Sequence, residues 1–435
     1  MFVSFTVENA YSFYDEQTLS ARAVKTCKDR LEDATFKMFP EREDRLVKTI
    51  AIYGANASGK SNLFKALDDL RNLVLYSSYS TVDSHQDESV GIMPFLFAKD
   101  GQDRKTRYTL EFIIEGYQYK YQVAATFERI VGEFLVRKNF KGRKFKELFS
   151  RVAEKDGSKI VCKNDFEQAD ESLKSKTRNN ALFLSTCAAF NVSEACKIAD
   201  FFRYDLHVIS AERLTSRRTS RALDAGKYRE KIVQFMQMTD PGIADVSVDR
   251  ASQETGRVLP NGEREVKVSF KPQVTPRMKD GSVMTELRVP LEAVSSLGTQ
   301  KAYNLAADIF EVLETGTVLA LDELDSRLHP LLTREIIKMF NSRELNPRNA
   351  QLIFNTHDTN LLSVKTYDSA KDKKTYLLRR DEIYFVEKNS ACSRVYSLID
   401  FKKGGCRSVR KDASYEKDYL EGLYGAIPYL GGSLG

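Results

Sequence analysis

The chain lacks paired cysteines. None of its six stands in a CxxC, and only four histidines accompany them, so a zinc site of ordinary Cys/His spacing is not expected. The histidines His85, His207, His329 and His357 are scattered, which gives no support to an HNH-type nuclease. No apolar run approaches the roughly 20 residues that a membrane span needs. The N-terminal MFVSFTVENAYSFYDEQ has no basic leader and is interrupted by Glu8, Asp15 and Glu16, so it does not read as a signal peptide. Long heptad runs are missing too, which excludes a coiled-coil arm. Charge bias is weak: 67 basic against 61 acidic residues give a net +6, which permits nucleic-acid contact without arguing for it. A reducing, cytoplasmic location without membrane contact is the expectation.

What is present is an ordinary globular composition, 42% hydrophobic and 29% charged over 435 residues. That length suits one large domain with insertions, or two to three ordinary ones. The segment KTIAIYG reads as a buried strand, and SNLFKALDDLRNLVLY places apolar residues at helical spacing. Between them runs Gly54-Ala-Asn56-Ala-Ser58-Gly59-Lys60-Ser61, followed by Asn62. A GxxxxGK[ST] loop between a strand and a helix cradles phosphates with backbone N–H groups at the positive end of the helix. Lys60 would reach the β- and γ-phosphates of ATP, and Ser61 would offer its hydroxyl to Mg²⁺.

Such a loop needs a metal carboxylate at the end of another strand. GTVLALDELDSRLHP supplies one: Val318 to Leu321 are apolar, and Asp322 and Glu323 follow. Asp322 would hold Mg²⁺ directly or through water, and Glu323 would act as general base toward the attacking water. Upstream, Ser295 to Gln300 (SSLGTQ) opens a helix, forming a second anion site with Ser296, Gly298 and Gln300. Its natural ligand is the γ-phosphate held by another copy of the chain. Downstream, Leu352 to Asn355 read as the next strand, and His357 stands at its end, placed to contact the γ-phosphate or orient the water.

This ordered set resembles the ABC-type ATPases of the SMC/RecF/OLD group, and within it the OLD-like ATPases of bacterial abortive-infection systems of the AbiLi or RloA type. The resemblance implies an α/β fold: an ABC-type P-loop ATPase core, a mixed sheet flanked by helices, with an antiparallel β layer and a helical insertion. It matches Gly54 to Ser61 to the Walker A loop and Ser296, Gly298 and Gln300 to the signature turn, here SLGTQ. Asp322 and Glu323 match Walker B, Leu328 to Pro330 the D-loop, and His357 the switch histidine. Asn9, Tyr11 and Ser12 fall at the turn after the first strand. A C-terminal nuclease is not expected, since only seven residues follow Pro428.

Elsewhere, residues 90–150 alternate as an antiparallel layer, with Tyr108, Leu110, Phe112 and Ile114 on one face and a hairpin turn at EGY. Residues 151–180 read as a polar surface excursion and 181–240 as mainly helical. The expected division is 1–180, an N-terminal ATPase lobe; 181–285, a mainly helical insertion; and 286–435, a C-terminal lobe. A basic cluster, Arg213, Arg217, Arg218 and Arg221, is open to a nucleic acid, an acidic partner face or plain solvent. The expected function is an ATP-hydrolysing switch of an anti-phage system. It would form a homodimer or higher homo-oligomer around ATP and control a separate effector such as a nuclease or toxin. The alternatives are a RecF-like DNA-binding repair ATPase, and an ATP-binding scaffold with little turnover.

Overall fold

A computed structural model describes the chain except for residues 80–88, 102–103, 143, 156, 164–165, 167–168, 259–263, 369–372, 404–406 and 429–435. His85 and Cys406 therefore lie outside the described residues. At the centre is a six-stranded sheet in the order Leu206–Ile209, Val318–Leu321, Gln351–Asn355, Thr49–Tyr53, Ile383–Asn389 and Cys392–Ser397. The first five strands are parallel and the last is antiparallel. Every residue of Thr49–Tyr53, Val318–Leu321 and Gln351–Asn355 is buried, as a parallel sheet covered on both faces requires.

The alternation of these strands divides the interior in two. Ile50, Ile52, Val318, Ala320 and Ile353 join one core with the helix Lys60–Tyr76. Ala51, Tyr53, Leu319, Leu321, Leu352 and Phe354 join the other with the helices Leu297–Thr315 and Pro330–Asn341. Because the strands run parallel, Gly54, Asp322 and the residues after Asn355 leave the same edge of the sheet. That edge is where open α/β sheets bind ligands.

The first core is closed by a seven-stranded antiparallel sheet, in the order Gly157–Cys162, Lys146–Glu154, Ile130–Asn139, Tyr117–Ala125, Thr106–Ile114, Phe2–Glu8 and Gln17–Ser20. The turn between Thr106–Ile114 and Tyr117–Ala125 falls at Glu115–Gly116, as expected, and Tyr108, Leu110 and Phe112 point inward. Residues 151–162 correct the expectation of a surface excursion, for they complete this sheet as its outer two strands. Their polarity misleads because Arg151 is buried against Glu133 at 3.7 Å and donates to the backbone oxygens of Ala181 and Arg178. Among the described residues, the excursion keeps a short helix, Glu171–Lys176, as regular structure.

Helices do fill 183–200 and 217–239, around the strand Leu206–Ile209 that edges the central sheet. From 243 onward the helical expectation fails: Ile243–Val258 and Arg264–Pro276 form a long antiparallel hairpin. Among the described residues its buried side chains lie at the base, with Ile243, Val246, Gln273, Val274 and Thr275 among them. Val266, Val268 and Phe270 alternate with Lys267 and Ser269, a period of two that marks a strand and that the helical expectation overlooked. Among the described residues no helix is long and apolar enough to cross a membrane.

Candidate functional site

The phosphate loop passes from Tyr53 into the helix that begins at Lys60. Gly59 caps that helix at φ 109°, where a Cβ would meet Ser393 Oγ at 2.4 Å and Ser12 Oγ at 2.6 Å. Only glycine fits there, because the loop is pressed onto a floor of two serines. Ser393 Oγ donates to the Ser58 carbonyl at 2.6 Å and lies 2.8 Å from Ser12 Oγ, which also accepts from Asn62 Nδ2 at 2.9 Å. Asn62 thus braces the loop from below, and Asn56 is exposed at its crest. Lys60 is buried, and its ammonium donates to the carbonyls of Gly54 and Ala55 at 2.8 and 2.9 Å. Burial pushes its pKa down to about 8, with Asp322 opposing.

Ser61 Oγ donates to Asp322 Oδ1 at 3.0 Å. The two residues read as metal ligands, 261 positions apart in sequence, are in direct contact across the gap between helix start and strand end. Glu323 follows in a left-handed conformation, φ 57°, half-buried. Asn355, which sequence reasoning passed over, joins them: its Nδ2 donates to Asp322 Oδ1, and its Oδ1 accepts from the backbone N–H of Glu323. The His357 backbone N–H donates to Asp325 Oδ2 at 3.0 Å. Burial and then Lys60 lower the His357 imidazole below its ordinary range, while Asp325, Glu323 and Asp322 pull the other way. Lys60, Ser61, Asp322, Glu323 and His357 therefore share one electrostatic neighbourhood, together with Asp325.

Ser296 caps the helix Leu297–Thr315, its Oγ accepting from the Thr299 N–H at 3.1 Å. Gln300 Nε2 donates to the Ser295 carbonyl at 3.1 Å. A Cβ on Gly298 would stand 2.3 Å from the Arg327 carbonyl, so this turn needs glycine to lie against the segment after the acid pair. Lys301 was also missed. It is buried, and its Nζ reaches the carbonyls of Glu323, Leu324 and Ser326 at 2.6, 3.1 and 2.8 Å. Burial pushes it down to about 8, with Asp325 and Glu323 opposing. Ser296 and Gly298 line a groove of about 630 Å³ with Arg327 to Leu332. Gln300 and Lys301 line another, of about 470 Å³, with Glu323. Among the described residues, the hydrogen bonds of this turn run to itself and to the segment after Glu323, not to the phosphate loop.

The basic cluster separates into two kinds of arginine. Arg213 pairs with Asp68 at 2.7 Å, and Arg218 with Asp308 at 2.7 Å and with Glu311. Arg217 and Arg221 are exposed, have no ion pair among the described residues, and line a groove of about 680 Å³ with Lys267, Ser269 and Phe270 of the hairpin.

The family model described as "AAA domain, putative AbiEii toxin, Type IV TA system" matches residues 50–185 and 212–363. This chain belongs to that family. The first matched block of this AbiEii-type AAA chain opens on the strand leading into the phosphate loop. The second holds Ser296, the acid pair and His357. Among solved structures, the recombination mediator protein RecF, described as RecF-ATPrS in the RecFOR pathway, is similar at 14% identity. That match covers 91% of this chain and 98% of the other, with a TM-score of 0.29. No curated protein matches the chain.

Proposed function

We propose that this AbiEii-type AAA protein binds and hydrolyses ATP as a conformational switch. In this reading two copies close face to face around nucleotide, Lys60 of one opposite Ser296 of the other. Their opening and closing would control a separate effector, such as a nuclease or toxin, in defence against phage. The observation that carries the reading is the contact between Ser61 Oγ and Asp322 Oδ1, with Glu323 the next residue in sequence. A hydroxyl and a carboxylate at the ligand edge of a parallel sheet are hard oxygen donors, the set that suits Mg²⁺. When bound, Mg²⁺ would be held by Ser61 and Asp322 and would supply charge neutralisation at the phosphates.

The chain's own groups do the rest. Lys60 exchanges the carbonyls of Gly54 and Ala55 for phosphate oxygens, whose negative charge favours the cation that burial disfavours. Loop N–H groups at the start of the helix Lys60–Tyr76 bind the remaining phosphate charge. Glu323 takes the proton of the attacking water, and His357 contacts the γ-phosphate from the neighbouring strand end. Glu323→Gln should retain ATP binding and cut turnover by roughly a hundredfold or more, consistent with loss of a general base. It should also accumulate a nucleotide-bound dimer. Turnover equal to wild type in that variant removes Glu323 from the chemistry.

A second reading, a nucleic-acid-clamping ATPase, is favoured by one observation: the groove with Arg217 and Arg221, which have no ion pair among the described residues. Arg217→Glu with Arg221→Glu should abolish ATPase stimulation by an oligonucleotide if it holds. Arg218 is a poor choice for that test because its charge is already spent on Asp308 and Glu311. Stimulation that survives the double variant counts against this reading.

A further inference from the structure

Asn355 ends its strand and is 1% exposed. The parallel register sets Phe354 beside Leu321, so the residue after each falls at the same level, Asn355 against Asp322. Its side chain is used twice on consecutive residues: the amide nitrogen donates to the Asp322 carboxylate and the amide oxygen accepts the Glu323 backbone N–H. Its own carbonyl accepts from the Leu324 N–H at 3.3 Å. A carboxamide can make both side-chain bonds because it donates from one atom and accepts at another across a short span. Asp322 Oδ1 also accepts from Ser61 Oγ, so two donors fix one carboxylate oxygen, while Oδ2 takes no hydrogen bond from the described residues. Glu323 sits at φ 57°, a conformation that costs a residue with a Cβ about 1–2 kcal/mol and needs surrounding contacts to hold it.

We infer that Asn355 is a positioning residue of the nucleotide site. One amide orients the Asp322 carboxylate and pins the peptide of Glu323, so that acid and base are held as a unit by the strand that leads to His357. The inference rests on the ATP-site reading and adds a residue that motif matching does not reach. It predicts that the two halves of the amide separate. Asn355→Asp keeps the shape and the acceptor but replaces the donor with a second carboxylate against Asp322. Asn355→Leu keeps the volume and loses both.

The test uses the full chain with three readouts: amide hydrogen exchange without nucleotide, binding of a fluorescent ATP analogue in EDTA and in Mg²⁺, and steady-state turnover. Asn355→Asp should bind the analogue in EDTA within about twofold of wild type, lose roughly tenfold of the tightening given by Mg²⁺, and lose roughly 10- to 100-fold in kcat with little change in KM, the range for outer-shell partners. Exchange at Glu323 should stay slow in Asn355→Asp and rise in Asn355→Leu. Should Asn355→Leu fail to fold, Asn355→Asp and its EDTA-to-Mg²⁺ difference decide alone. Wild-type kcat and wild-type Mg²⁺ dependence in a folded variant overturn the positioning role and leave the ATP reading standing. Failure of the unmodified chain to bind the analogue in either buffer overturns both.

Discussion

Arg218 serves two buried partners whose acid–base preferences oppose each other. It pairs with Asp308 at 2.7 Å and donates to His207 Nδ1 at 3.1 Å. Burial, helped by Arg218, pushes His207 from 6.5 down to about 4. Burial pushes Asp308 from 3.8 up to about 6, against the pull of Arg218. As pH falls from 6.5 to 4 the unfolded chain protonates its histidine first, so His207 alone makes the fold less stable on acidification. Over about the same range the folded chain protonates Asp308 first, so Asp308 alone makes it more stable. The two slopes offset in the wild type. Asp308→Asn should therefore lose stability more steeply than wild type between pH 6.5 and 4, and His207→Asn should gain relative to wild type between pH 6 and 4. Each slope is bounded by about 1.4 kcal/mol per pH unit. Urea melts across that range check it, and curves parallel to wild type in both variants defeat the offset. None of this was legible in the sequence, where Arg218 read as one member of a basic cluster and His207 as a scattered histidine. Their meaning lies in contacts 11 and 90 positions away along the chain.

The element that links the two halves of the site is the helix Leu297–Thr315. Its first turn lies on the Arg327 carbonyl through Gly298, and one turn on, Lys301 gathers the carbonyls of Glu323, Leu324 and Ser326. Lys301→Met keeps the apolar stem but strands those carbonyls, at a cost of about 2–3 kcal/mol for lost charge-assisted hydrogen bonds. Faster amide exchange over residues 323–328, with a lower Tm, is the expected result, and exchange as slow as in wild type would refute the clamp. Gly298→Ala should cost about 1–3 kcal/mol by overpacking, with the Ser296 turn pushed off its support. At this scale the sequence was most informative where a strand was wholly apolar. Thr49–Tyr53 and Val318–Leu321 could be placed from pattern, together with the motifs at their ends. It was least informative where a strand carries polar residues on both faces, as in 151–162, and the hairpin 243–276 was misread as helical. The first hides a buried Arg151–Glu133 pair inside what looks like a solvated run. The second does carry a period of two at Val266, Val268 and Phe270, and that pattern was overlooked. Lys301 and Asn355 were missed for a related reason. A lysine after a Ser/Gly turn and an asparagine at a strand end are ordinary residues until the fold brings carbonyls and a carboxylate to them.

For the whole molecule, what surrounds Ser296 bears on assembly. Met238, Val294, Leu297 and Leu331 are 59, 56, 57 and 58% exposed. Met238 and Leu331 line the Ser296 groove, and Leu297 lines the adjoining one. Each would contribute about 1.5–3 kcal/mol if fully buried, but loss of translational and rotational freedom costs about 4–15 kcal/mol. Four such residues, half-covered already, fall near that cost rather than well beyond it. In the proposed face-to-face dimer, association should therefore depend on added contacts between nucleotide and the Ser296 turn. The chain alone is expected to run as a monomer at micromolar concentration, and Glu323→Gln with ATP as a dimer or higher even assembly by light scattering. Leu297→Asp with Leu331→Asp places two carboxylates on the rim, where the proposed facing copy would bring its triphosphate. That variant should bind the nucleotide analogue as a monomer with affinity near wild type, yet fail to associate and lose nearly all turnover. Full turnover by a form that stays monomeric at every nucleotide concentration would show that one chain completes its own site, and the face-to-face arrangement would then have to be abandoned.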